Sequence, residues 1–119
     1  MARETKEIVK KEDSFDLLEI RVGKVINVDL EPTAHKKSYK IKVDFGKFGI
    51  RQTVGRFTSH QAKELINQTV IGVLNFEEVK IGETISEFLL LGAQYPKADS
   101  GEATILTTLS NVKIGGKIF

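Results

Sequence analysis

The residues best placed to do chemistry are basic and lie together in the sequence. Between Arg21 and Arg56 stand nine cations (Arg21, Lys24, Lys36, Lys37, Lys40, Lys42, Lys47, Arg51 and Arg56) against three acids (Asp29, Glu31 and Asp44). That segment carries +6 in a chain whose formal net charge is +2, so the remainder sums to −4. Charge sorted this way points to a polyanionic partner. Each neutralised phosphate releases counterions, and six contacts would give a log–log salt slope of about −5. If lysines on outward strand faces only keep edges soluble, no such slope is expected.

The other reactive residue types offer little. The chain has no cysteine, which removes disulfides, thiol nucleophiles and thiolate metal sites. Metal binding or acid–base work generally needs a cluster, and the two histidines, His35 and His60, form none. Glu77 and Glu78 are neighbours that a strand would point to opposite faces, so they do not read as a hydrolytic pair. No glycine-rich phosphate loop is present. The expectation is a protein without catalysis, metal or cofactor.

The elements that must position these cations follow from periodicity. Tyr39 to Phe45 alternates without a slip, Tyr39, Ile41, Val43 and Phe45 facing one way and Lys40, Lys42 and Asp44 the other, as in a half-buried strand. Before it, Ile20, Val22, Ile26, Val28 and Leu30 keep period 2 apart from Lys24, and Gly23 signals a bulge or a close backbone approach. Ile50 to Val54 reads as a third strand, and Ser59 to Asn67 as a helix capped by Ser59. Val70 to Phe76 and Ile85 to Leu91 are further strands. A polar loop from Gly92 to Glu102 leads to a last strand, Ala103 to Leu109. Asp13 and Ser14 offer a cap for a short helix carrying Phe15 and Leu18. The final Ile118 and Phe119 are expected to pack against the body of the protein.

Residues 1–14 read as an arm and 15–119 as one domain. The N-terminus is polar, with no secretion signal visible, and no run of about 18 apolar residues exists for a membrane span. A cytoplasmic protein is expected. The element order predicts an all-β OB-fold, a five-stranded Greek-key barrel with a short N-terminal helix and one helix between strands 3 and 4. The C-terminal β extension is assigned to two-fold dimerisation.

Several motifs give this order a family likeness. Asp16 to Val25 resembles the "(V/L)DIRVGxV" opening of the tRNA-binding domain, found as an appendage on several aminoacyl-tRNA synthetases and as small separate proteins. Pro32-Thr33-Ala34 is similar to its "P-x-A" loop, Val43 to Gly46 to its "VDFG", and Arg51-Gln52 to its "(R/K)Q". Leu74-Asn75-Phe76, Ser86-Glu87 with Leu89 to Gly92, and Val112 to Ile118 resemble the later motifs. Loop lengths look most like the CsaA subgroup, the dimeric, secretion-associated chaperone-like version. Where that subgroup usually carries Pro-Pro-Arg-Arg, this chain has Glu77-Glu78-Val79-Lys80.

The resemblance implies a non-catalytic homodimer that binds tRNA or other structured RNA by shape and phosphate charge. Arg21, Lys24, Lys36, Lys37, Lys40, Lys42, Arg51, Arg56 and Lys80 would supply the cations. The resemblance alone adds Asn75 and Ser86 as polar contacts. One alternative is an export chaperone holding unfolded polypeptide in apolar grooves, for which Phe57, Phe76, Phe88, Tyr95 and Phe119 are candidates. Core or dimer packing is the commoner fate of such residues. Another alternative is an appendage or subunit lending tRNA affinity to a synthetase.

Overall fold

The alternating segment forms a half-buried strand in a computed structural model that describes residues 4–96 and 101–119. This is β2 (Tyr39–Asp44), with Tyr39, Ile41 and Val43 buried and Lys42 exposed. β2 pairs antiparallel with β1 (Ile20–Leu30) on one side and β3 (Ile50–Gly55) on the other. The first half of β1 pairs with β4 (Thr69–Val73), which pairs in turn with β7 (Leu89–Leu90). The sheet order is therefore β3-β2-β1-β4-β7.

The seam between β3 and β7 closes with single bonds rather than a ladder. The Glu87 N–H donates to the Gln52 carbonyl at 2.8 Å, and the Gln52 N–H donates back to the Glu87 carboxylate at 2.9 Å. The Thr53 hydroxyl donates to the Phe88 carbonyl at 2.9 Å. The product is a nearly closed, five-stranded antiparallel barrel of the OB type. Phe45 and Phe88 meet edge to face at 4.9 Å in its centre. Gly72 leaves both rings room, since a Cβ there would lie 2.8 Å from each, and Gly23 does the same for Phe45: a Cβ there would lie 2.3 Å from Val43 Cγ1 and 2.7 Å from the Phe45 ring.

Several elements differ from the sequence expectation, each for a physical reason. The register of β1 jumps from Val25 to Asn27, so Ile26 is an extra, bulged residue. β1 changes partner from β4 to β2 just before this point, and the bulge reverses its alternation. Val25 and Val28 are consequently buried and Ile26 is exposed; Leu30, opposite buried Tyr39 at the end of the strand, is exposed as well. The helix is one turn, α1 (Ala62–Leu65), capped by Gln61 in a capping box with Glu64 rather than by Ser59. The Ser59 hydroxyl instead meets the Tyr95 hydroxyl at 2.8 Å. The N-terminal helix is a pair of 3-10 turns, Lys11–Asp13 and Phe15–Leu17, and Ser14 donates to the Lys10 carbonyl instead of capping.

The segment read as one strand from Ile85 to Leu91 is broken at Glu87, whose N–H and carboxylate both turn to Gln52. Its first part, β6 (Thr84–Ser86), makes a hairpin with β5 (Val79–Ile81). The expected loop begins as strand β8 (Gly92–Gln94), paired with β9 (Ala103–Ile105), and part of that loop falls on residues outside the described ones. The C-terminal tail pairs with its own β1: Gly115 N–H donates to Val22 O, Val22 N–H to Gly116 O and Ile118 N–H to Ile20 O. Ile118 is half-buried against the barrel as expected, but Phe119 is 94% exposed and does not pack.

Candidate nucleic-acid interface

In an antiparallel ladder, residues directly opposite one another share a face. The outer face of β1, β2 and β3 therefore carries three rows: Asp29–Lys40–Val54, Asn27–Lys42–Gln52 and Lys24–Asp44–Ile50. Each row holds one lysine. The acids between them accept from neutral donors, Asp29 from the Asn27 amide at 3.0 Å and Asp44 from the Gly46 N–H at 2.8 Å. None of the three lysines forms an ion pair among the described residues. Three ammonium groups are thus left to solvent or to an anion.

At one end of this face lies the loop of residues 31–38, with Lys36 and Lys37 exposed. It is bolted to the β5–β6 hairpin by Glu31, which is 7% exposed. The Glu31 carboxylate accepts from the Thr33 hydroxyl at 2.6 Å, the Thr33 N–H at 3.2 Å and the Thr84 hydroxyl. The Thr33 hydroxyl in turn accepts from the Glu83 N–H at 2.8 Å. Gly82 makes the hairpin turn at φ +61°, where a Cβ would lie 2.6 Å from the Thr33 carbonyl carbon. Only glycine allows so close an approach in that conformation. Exposed Lys80, two residues before Gly82, is held near the loop in this way. The side-chain bond from Thr33, then that from Thr84, holds the Glu31 carboxyl below its ordinary value, with help from Lys40 and against the effect of burial.

The arginines are elsewhere. Arg21 pairs with Glu19 at 2.7 Å and stacks on the Phe48 ring, 4.6 Å from its centroid. Arg51 lies opposite Val43 on the inward face and donates to the Phe48 carbonyl at 3.3 Å and the Leu74 carbonyl at 3.1 Å. Both cover the barrel end beneath the 3-10 turn Gly46–Phe48. Arg56 is half-buried, its Nε has no hydrogen-bond partner among the described residues, and it lines an apolar cavity of about 460 Å³ with Phe57, Phe76, Phe88 and Leu89.

The two polar candidates are also bonded within the fold. Asn75 accepts from the Glu19 N–H at 2.7 Å and donates to the Leu17 carbonyl at 2.9 Å, tying the N-terminal turns to β4. Ser86 is 9% exposed, its hydroxyl on Thr53 at 2.7 Å and on the Phe88 carbonyl. The structure thus gathers Lys24, Lys40 and Lys42 on one face, with Lys36 and Lys37 on the loop of residues 31–38 and Lys80 on the β5 strand of the hairpin joined to it. Arg21, Arg51, Arg56, Asn75 and Ser86 stand apart from that face. His60 bonds Thr104 at 2.9 Å and Tyr95 at 3.1 Å, while His35 is exposed. Among the described residues no group of three His, Asp or Glu could hold a metal.

Sequence reasoning passed over Glu31 and Glu87. The first had a signal: an acid at the start of a basic loop, two residues before a threonine. The second had none, because its partner Gln52 lies 35 residues away.

A small β-barrel of the oligonucleotide-binding type, with unpaired cations on one outer face, is the class that fold and site define. Residues 20–117 match the family described as "Putative tRNA binding domain", and the chain belongs to that family. It is 36% identical over 117 residues to a methionine–tRNA ligase of Pyrococcus abyssi, a match covering 98% of this chain but 15% of that protein. Among solved structures it resembles the CsaA chaperone protein of Picrophilus torridus, with TM-score 0.83 and 33% identity over 94% of this chain and 100% of that one. The CsaA chaperone of Bacillus anthracis superposes with TM-score 0.85 and 27% identity, covering 95% of this chain and 100% of that one. Among the described residues no helix is long and apolar enough to cross a membrane.

Proposed function

We propose that this domain binds structured RNA, tRNA first, as a non-catalytic cytoplasmic homodimer that reads shape and phosphate charge. The observation that carries the reading is the outer face with its three unpaired lysines, Lys24, Lys40 and Lys42. Lys36 and Lys37 on the loop and Lys80 on the β5–β6 hairpin extend it, the two segments being fixed to each other through Glu31 and Thr33. A backbone-directed interface needs mobile point charges more than base-edge donors, and lysine supplies them. The homodimer would bury Leu109, Val112 and Phe119, which are exposed beyond β9, and light scattering with size-exclusion chromatography tests it. Binding is tested by a native gel of tRNA with the wild type and with Lys40→Glu/Lys42→Glu. A shift with the first and its loss with the second is expected, and an unshifted tRNA at low salt with the wild type refutes the reading.

The apolar cavity favours a second reading. Phe57, Phe76, Val79, Phe88 and Leu89 line it, and chains of similar fold are CsaA chaperones. An extended polypeptide could place a side chain there. Salt separates the two: RNA binding should collapse between 50 and 200 mM salt by about a thousandfold for six contacts, while apolar peptide binding should barely change. A role as the tRNA-affinity part of a synthetase, suggested by the ligase relatives, predicts a stable complex recoverable by pull-down.

A further inference from the structure

A second cationic site lies at the other end of β2 from the loop of residues 31–38. There the C-terminal tail crosses the turn after β2 at close range: a Cβ on Gly46 would be 2.9 Å from the Ile114 carbonyl oxygen, and one on Gly115 would be 2.7 Å from that of Phe45. Between tail, turn and β1 is a cleft of about 260 Å³ whose charged lining is Arg21, Lys47, Lys113 and Lys117, with no acid among the lining residues. The Glu19 carboxylate, bound to Arg21, does not line the cleft, and among the described residues none of the three lysines forms an ion pair.

The aromatic ring beside the cleft sharpens the point. The Arg21 guanidinium is 4.6 Å and the Lys47 ammonium 5.3 Å from the centroid of the same Phe48 ring. The two charges are then at most about 10 Å apart, within one screening length at 0.1 M salt. Four like charges gathered around one concavity repel one another, and an anion seated between them relieves that repulsion.

We propose that this cleft is a phosphate-binding site completed by the C-terminal tail, and that it takes a phosphate of the RNA backbone. The RNA part rests on the function proposed above; the phosphate part does not. Arg21 is fixed by Glu19 and by its stack on Phe48, so it offers a rigid wall, while Lys47, Lys113 and Lys117 close over the anion from two other segments. None of the three lysines belongs to the outer-face rows, so the site adds contacts to that face rather than duplicating it.

The test titrates inorganic pyrophosphate into ¹⁵N-labelled protein and follows the amide signals of Lys47, Gly115 and Gly116. Saturable shifts confined to these segments are expected, and they should vanish in Lys113→Glu/Lys117→Glu. Lys47→Glu, on a separate segment, should abolish them too, which guards against a tail variant that merely detaches. In parallel, the double variant should weaken tRNA binding at least about tenfold at 0.1 M salt and make the log–log salt slope shallower by about 1.5 to 2. An absence of saturable shifts with pyrophosphate, or shifts that survive in both variants, overturns the phosphate site. Pyrophosphate binding with an unchanged tRNA slope overturns the RNA assignment and leaves a site for small polyphosphates. A wild type that fails to bind tRNA defeats the proposed function, yet the pyrophosphate titration still decides the cleft.

Discussion

The arginines around Phe48 and the lysines on the outer face of β2 are both basic, and the fold uses the two groups in opposite ways. At the barrel end, Arg21 and Arg51 lie half-buried against a ring and main-chain carbonyls. On the outer face, Lys24, Lys40 and Lys42 have no ion-pair partner among the described residues. A guanidinium has five donors in a rigid plane and can satisfy several fixed acceptors while stacking on an aromatic ring. An ammonium group is a strongly hydrated point charge on a flexible stem, costly to hold in one place. Charge counted along a sequence therefore overstates the surface open to a ligand, because part of it is structural. Here the division follows residue type: all three described arginines are half-buried, and most of the lysines in the same segment are exposed.

The contrast can be broken most directly by Arg51→Ala. Losing the bonds to Phe48 and Leu74 should cost about 3 kcal/mol, seen as a lower urea midpoint at unchanged slope. The variant that remains folded should bind tRNA as the wild type does. A stable variant that has lost tRNA would move Arg51 to the interface. Lys40→Glu/Lys42→Glu should do the reverse, changing stability by no more than about 0.5 kcal/mol. Its tRNA affinity should fall at least about tenfold and its salt slope become shallower by about 2.

Asn75 is a finer probe, since the family likeness made it a ligand contact and the structure gives it two main-chain partners. Asn75→Ala should cost about 1–2 kcal/mol in a denaturant melt with little change in tRNA binding per folded molecule.

The smallest effect concerns Glu31, the buried acid at the lysine end. Its folded carboxyl titrates below the ordinary value of 4.5, so its contribution to stability is complete above that value. The contribution is lost as pH falls through the lower, folded value. Melting temperatures from pH 7 to pH 3 should show Glu31→Gln less stable at neutral pH and less sensitive to acid, the gap between the two curves narrowing as pH falls.

Much of the barrel was legible in the sequence because period-2 alternation records which face of a strand is buried. Tyr39 to Phe45 predicted β2 and its two faces, and strand order with one intervening helix predicted the OB-type arrangement. The bulge at Ile26 escaped because an isoleucine in an apolar run looks the same in register or out of it. The candidate site was legible only in part, since exposed lysines follow from alternation but the roles of the arginines do not. Their acceptors are carbonyl oxygens, which every residue has, and Leu74 lies 23 positions from Arg51. The Ser86–Thr53 pair, 33 positions apart, was hidden for the same reason.

The tail's bonds to Val22 and Ile20 fill the length of β1 that β2 leaves open. Were residues 113–119 to come away, that strand would expose a row of unsatisfied main-chain groups, the kind of margin from which chains aggregate. A tail from a second copy would satisfy the same groups equally well. Once detached, the segment that seals one molecule would be a ready means of strand exchange between two, and the concentration at which that began would measure how firmly each molecule holds its own tail.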